Sequence, residues 1–181
     1  MTDRISLRIE GLDKIVRAFD RIGKQAPRAL ALALNDTARH VRSEASKGIR
    51  QTWNVKAVTI REAIRIRPAT AANPEAQVIA SSRPIPLYAF GPRKLKRGYS
   101  VRIKKGQPPT RLPNAFVTRM ASGHVGLFER MSRSRLPIRE KASITIPSQW
   151  RQRIELDIAD AAPFLRRRLE AQLERLLKGR Q

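Results

Sequence analysis

Apolar positions along the chain follow two periodicities, and the switches between them divide it into three parts. Leu12, Ile15, Val16, Phe19 and Ile22 recur at three- and four-residue spacing. Leu30, Leu34, Ala38, Val41, Ala45 and Ile49 carry the same spacing further, which marks one apolar face of a helix. Gly23 breaks the run, and Pro27 stands where a first helical turn accepts a residue without an amide hydrogen. Residues 12–50 therefore predict a helix pair, or one long helix bent between Gly23 and Pro27. A short strand precedes it, with Ile5, Leu7 and Ile9 alternating up to Gly11. The helical period returns at the other end, where Ile154, Ile158, Ala162, Leu165, Leu169, Leu173 and Leu176 predict a helix over 150–178. Pro163 is expected to interrupt that helix, with Asp160 capping its restart.

Between the helices the period falls to two. Thr59 with Glu62 three residues on resembles a capping box for a short helix. Ile64 and Ile66 then alternate with Arg65 and Arg67 in a strand that ends before Pro68, and residues 77–81 read as another. The prolines of Arg83-Pro84-Ile85-Pro86-Leu87 favour an extended edge segment. Gly91-Pro92 and the 106–109 stretch bracket a strand over 99–103. In 116–146, Val117, Val125, Leu127, Ile144 and Ile146 alternate with other residues, and Gly123 and Ser132-Arg133-Ser134 supply turns. Two or three antiparallel strands are expected there, with a stiff Leu136-Pro137-Ile138 segment. The expected fold is a single α+β domain over 1–181. An N-terminal helix pair (1–50) and a C-terminal helix (150–178) pack around a small antiparallel sheet (64–147) with long basic loops.

Composition changes this picture through charge. Thirty-eight Lys and Arg against 15 Asp and Glu leave the 181-residue chain at +23. An excess of that size repels itself unless it meets a polyanion, an acidic partner or counterions. It is also unevenly placed. No acidic residue lies between Glu75 and Glu129, whereas that interval holds Arg83, Arg93, Lys94, Lys96, Arg97, Arg102, Lys104, Lys105, Arg111 and Arg119. The 99–103 strand places Lys94, Lys96 and Arg97 near one of its ends and Lys104 and Lys105 near the other. A hairpin with basic tips is the expected form. Arg93, Lys94, Lys96, Arg97, Arg102, Lys104 and Lys105 are the candidate contacts to DNA phosphate, sequence-independent and salt-sensitive. An acidic neighbouring subunit and a merely solvated basic surface are the competing readings. Aromatic residues make up 5% of the chain, too few for extensive base stacking, and no base-reading motif accompanies the charge.

Catalysis finds little support. The chain has no cysteine, which removes disulfides and thiolate metal sites. His40 and His124 are its two histidines, and no His-Glu-x-x-His or phosphate-loop pattern exists. Ser122, Ser132 and Ser134 lack a nucleophile-elbow context, and Asp157 with Asp160 lacks the further ligands a metal needs. No enzyme, metal or cofactor is expected. The apolar runs are too short to cross a bilayer and no signal-peptide core opens the chain, so a soluble protein folding in a cytoplasm is expected.

The order of these features resembles the prophage minor tail protein Z group of long-tailed bacteriophages. The matching residues begin with Ala29-Leu30 and Asn35-Asp36-Thr37-Ala38, then Ile85-Pro86-Leu87 with Phe90, and Gly98-Tyr99-Ser100-Val101. They continue with Ala115-Phe116, Gly126-Leu127-Phe128-Glu129-Arg130 and Arg135-Leu136-Pro137-Ile138-Arg139-Glu140. Phe128, Arg130, Arg135, Leu136, Pro137 and Ile138 carry the most specific part. The family pattern follows that part with a Tyr-Gly-Pro-Ser turn, where this chain has Lys141-Ala142-Ser143. The resemblance implies a virion protein without catalytic turnover, assembled in the host cytoplasm, that completes the tail at its head-proximal end. It also implies tail terminator, tail tube and neck or connector proteins as partners, a homo-oligomeric ring of six, and phage DNA as a further contact. Without the resemblance, a free nucleic-acid-binding protein of the RNA-binding or nucleoid type is the other reading.

Overall fold

The computed structural model describes residues 3–5, 25–146 and 154–178. Three helices are described: α1 (Ala26–Thr52), α2 (Ala57–Ala63) and α3 (Ile154–Lys178). The first strands are β1 (Asp3–Ile5), β2 (Ile64–Arg67), β3 (Gln77–Ala80) and β4 (Pro84–Pro86). A 3-10 turn at Leu87–Phe90 leads to β5 (Arg93–Lys94), β6 (Tyr99–Val101) and β7 (Thr110–Leu112). Strands β8 (Ala115–Arg119), β9 (Val125–Arg130), β10 (Ile138–Glu140) and β11 (Ala142–Thr145) complete the set. All the pairings are antiparallel, in an α+β arrangement. In place of one small sheet there are four short ones: β1-β3-β2, β10-β9-β8, β11-β4 and β5-β6-β7. Prolines bound these strands and deny the ladder its donors, which keeps each piece short.

Helix α1 is the spine. Its C-terminal half sends Ala38, Val41, Ala45 and Ile49 into a core shared with Ile60, Ile64, Val78, Ile85, Phe90, Val101, Leu127 and Ile146. Its N-terminal half packs through Ala26, Ala29 and Ala33 on Leu165 and Leu169 of α3. The centre of the α1 stripe is thus alanine. Leu30 and Leu34, expected on the apolar stripe, pack against this seam at its flanks, half-buried. Small side chains let two helix backbones approach closely, and the leucines of α3 fill the seam. The helix expected over 12–22, and Leu7 and Ile9, lie outside the described residues.

Two local expectations are overturned. Helix α3 runs unbroken through Pro163. An interior proline costs about 3 kcal/mol, but Leu165 and Leu169 are fully buried beyond it, each contributing about 1.5–3 kcal/mol. Asp160, before the proline, holds α1 through His40 rather than capping a restart. The second concerns Thr59 and Glu62. Helix α2 begins with Lys56 at its cap and has no side-chain capping bond, so Thr59 sits inside the first turn. The strand over 64–67 appears where Ile64 and Ile66 predict it, entered directly from α2, with Ile64 buried and Arg65 exposed.

Asn35 supplies one further tie. Its Nδ2 donates to the carbonyl oxygen of Ala69 at 2.9 Å, and its Oδ1 accepts from the Ala69 amide at 2.7 Å. The side-chain amide imitates a strand neighbour and fixes the turn between β2 and β3 against α1.

Candidate functional site

The acid-free interval folds into the β5-β6-β7 sheet and its surroundings. Register sets its two faces. Tyr99 pairs with Lys94 and Leu112, Ser100 with Arg93 and Arg111, and Val101 with Thr110. Tyr99 and Val101 turn to the core, with Ile103 and Leu112 beside them. The alternate face carries Arg93, Ser100 and Arg111 side by side, with Arg102 two residues along from Ser100. The turn joining β5 to β6 is closed by the Leu95 amide, which donates to Gly98 O at 3.0 Å. Gly98 has φ +73°, and a methyl group there would stand 2.1 Å from Leu112 O. A side chain fits neither the backbone conformation nor the gap to β7.

The segment after α1 closes the site from the other side. The Trp53 amide bonds Ile49 O, Asn54 N donates to Ile103 O at 2.9 Å, and Lys105 N donates to Thr52 O at 2.8 Å. Asn54 Nδ2 also donates to Arg102 O at 3.1 Å. These bonds hold residues 52–56 along the chain that leaves β6. A cleft of about 690 Å³ opens between them, lined by Asn54, Lys56, Phe90, Arg93, Lys94, Ser100 and Arg102. Its four cationic side chains have no ion-pair partner among the described residues.

The seven sequence-selected cations are thus divided. Arg93, Lys94 and Arg102 share the cleft. Lys96 and Arg97 are exposed on the β5–β6 turn, outside the lining. Lys104 holds its ammonium 4.9 Å from the centroid of the Trp53 ring, and Lys105 is exposed beside it. Lys56 and Asn54 are not singled out by the sequence, and Ser100 enters there only within the Gly98-Tyr99-Ser100-Val101 match. Lys56 lies far along the chain from Arg93, in a two-helix junction that carries no pattern of its own.

The Phe128–Ile138 motif forms a second feature. Phe128 is buried and stands opposite Phe116 in register, their rings 6.5 Å apart. Arg130 lies over Phe116 at 5.2 Å, and Ile138 pairs with Arg130. Met131 N donates to Pro137 O at 3.1 Å, closing a corner in which the Leu136-Pro137 peptide is cis. Phe128, Arg130 and Ile138 therefore hold the hairpin, while Arg135 and Leu136 face outward, Leu136 at 66% exposure. Lys141-Ala142-Ser143 makes no separate turn. Lys141 pairs with Glu129 at 2.5 Å, its amide donates to Leu127 O, and Ala142 pairs with Pro86 as β11 begins.

Each histidine is tied to a carboxylate within the fold. His40 Nε2 lies 2.7 Å from Asp160 Oδ2, and its ring stacks on Phe164 at 4.0 Å, within the α1–α3 seam. His124 Nε2 lies 2.8 Å from Glu140 Oε1 beside the Phe128 ring. Among the described residues no group of three or more His, Cys, Asp and Glu stands together to hold a metal. Among the same residues no helix is long and apolar enough to cross a membrane. Asp36 of α1 accepts from Arg168 of α3 and from Arg39. Burial pushes its carboxyl up, but the two guanidinium groups outweigh burial and hold it below its ordinary value.

Comparison with known proteins agrees with the sequence resemblance. A tail completion protein of Escherichia phage N15 is 26% identical over 137 residues, 72% of this chain and 74% of that protein. Tail completion protein Z of Escherichia phage lambda is 25% identical over 168 residues, 81% of this chain and 86% of that protein. No solved structure matches the chain. The profile of the prophage minor tail protein Z family matches residues 9–180, and the chain belongs to that family.

Proposed function

We propose that this protein is a non-catalytic structural component of a phage tail that completes it at the head-proximal end, where tail tube, tail terminator and neck meet. The observation that carries this reading is the family match across 9–180, with relatives named tail completion proteins. The side-chain chemistry supports it. The histidines and most of the described carboxylates are engaged in ties within the fold, while the outward corner at Arg135 and Leu136 and the cationic cleft are free to meet other subunits. The protein acts as a ring of six. Its exposed Lys96, Arg97 and Lys105 stand where they can approach the phosphates of the genome end.

The test is deletion of the gene from an inducible phage, with tails and heads examined by electron microscopy. Full-length tails that fail to join heads, restored by adding the purified protein, support the reading. Normal infectious particles without the protein overturn it. Immunogold label at the distal tip, or a single copy per tail, overturns the head-proximal ring while leaving a tail role intact. A free nucleic-acid-binding role is favoured by the +23 charge alone. It predicts protein recovered with RNA or host DNA rather than with particles.

A further inference from the structure

We propose that the cleft between residues 54–56 and the β5-β6-β7 sheet is a docking groove for an extended acidic peptide segment of a partner protein. The inference rests on the reading of the protein as a tail assembly component and adds the chemistry of one contact.

The cleft is concave and its volume of about 690 Å³ falls in the range of sites that enclose a ligand. Lys56, Arg93, Lys94 and Arg102 line it, and among the described residues no acidic one does. Arg93 and Arg102 flank Ser100, whose side chain lies between strands and is 9% exposed. Guanidinium groups present planar forks that match carboxylates, and their weak hydration makes them suited to a partly enclosed site. An extended peptide repeats its side chains on one face every two residues, about 6.6–6.8 Å. Arg102 stands two residues from Ser100, just past the end of β6, and Arg93 pairs with Ser100 across the ladder, so Arg93 and Arg102 are diagonal neighbours about 7–8 Å apart. That diagonal is close to the two-residue repeat of an extended peptide, and the long arginine side chains cover the difference, so alternate carboxylates of a Glu-x-Glu strand can reach Arg93 and Arg102.

The alternatives fit less well. A duplex presents its phosphates on a convex rod, whereas these cations line a concave cleft. Single-stranded nucleic acid gains its sequence-tolerant affinity from aromatic stacking. The single aromatic side chain lining the cleft, Phe90, is 2% exposed and committed to the core. A second copy of the chain brings +23 of its own to a cationic site, which favours an acidic segment of a different protein as the occupant. Asn54 positions the wall: its amide and its Nδ2 bind Ile103 O and Arg102 O from one side chain and one backbone group. That fixes the distance between Lys56 and Arg102 without any acidic residue entering the site.

The experiment measures fluorescence anisotropy of a labelled alternating Glu-Ser peptide with the full chain at near-physiological salt. The same peptide with Gln for Glu, an alternating Asp-Ser peptide, and duplex and single-stranded DNA are the comparisons. Arg93→Gln/Arg102→Gln is set against Lys96→Gln/Arg97→Gln, which removes the same charge outside the cleft. Thermal melts confirm that both variants fold. The groove variant is expected to weaken Glu-Ser binding by about tenfold or more, and the tip variant by less than about threefold. Equal loss in the two variants, binding of the Gln peptide as tight as that of the Glu peptide, or preferential loss of DNA binding in the groove variant overturns the proposal. Purified tails provide the separating control. Wild-type protein that joins tails, with a groove variant that joins them equally well and binds the peptide as before, removes the groove and leaves the tail role standing. Wild-type protein that never joins tails removes the tail role, whatever the peptide result.

Discussion

Replacing Asp36 by asparagine tests the tie between α1 and α3 with almost no change in volume. The carboxylate is mostly buried, its side chain 18% exposed, and it accepts from Arg168 across the seam and from Arg39 on its own helix. A hydrogen bond to a charged group contributes about 1.5–3 kcal/mol when well shielded. The Arg168 side chain is 42% exposed, so solvent screening brings its share nearer to about 1 kcal/mol, and the more exposed Arg39 adds little. The variant also strands Arg168, whose Nε is buried without a hydrogen-bond partner. A loss of about 1–2 kcal/mol is expected, or about 2–8 °C in Tm for a chain of this size.

The pH dependence separates this account from generic damage. The folded value of Asp36 lies below its unfolded value, so its contribution is complete above the ordinary carboxylate range. It declines as pH falls through the unfolded value, about 3.9, and is gone below the depressed folded value. Urea unfolding of wild type and Asp36→Asn is therefore expected to differ at pH 7 and to converge in acid. Adding salt at pH 7 narrows the gap partially. Equal stability at pH 7, or a gap that persists in acid, refutes the assignment of the seam to an ionic tie.

Gly98→Ala is expected to cost about 2–4 kcal/mol in denaturant unfolding, from the left-handed backbone and the Leu112 carbonyl in the way. Asn35→Ala removes both bonds to Ala69, with an expected loss of about 1–2 kcal/mol and faster hydrogen exchange at the Ala69 amide. His124→Ala is expected to leave tail completion intact in a complementation assay, with a small fall in Tm from the lost Glu140 contact; loss of infectivity in well-folded protein exposes a missed site. His40→Ala behaves likewise in function but weakens the α1–α3 seam by about 1–2 kcal/mol, read by urea unfolding.

How much of this was legible depended on range along the chain. The strands at Ile64–Arg67, Gln77–Ala80 and Tyr99–Val101 stand where a two-residue alternation or a pair of turn residues marks them, because those signals act locally. Pro163 misled because its cost is local while the compensation comes from Leu165 and Leu169 against another helix. The α1 stripe lies on the face its spacing predicts, with Ala38, Val41, Ala45 and Ile49 in the core and Leu30 and Leu34 packed at the α3 seam. Periodicity locates a face but not the residue at its centre, and the close approach of α3 favours alanine there over Leu30 and Leu34. The cleft was half visible. Its arginines lie in an acid-free run that composition exposes, whereas Lys56 and Asn54 arrive through a backbone ladder that pairs residues about 50 positions apart.

The placement of acid explains why the charge excess is not distributed at random. Asp36 ties α1 to α3, Asp160 holds His40, Glu129 pairs with Lys141, Glu140 with His124, Glu44 with Lys47 and Glu170 with Arg166. Most described carboxylates are thereby committed to interactions within the fold, some across the α1–α3 seam or between strands and others within one helix. The β5-β6-β7 region has no acid in sequence to commit, so no carboxylate of its own offsets the repulsion among its cations. That repulsion lowers the stability of the isolated chain. Arg93, Lys94 and Arg102, without ion-pair partners among the described residues, converge on one concave cleft, and theirs is the charge that the proposed acidic occupant would neutralise.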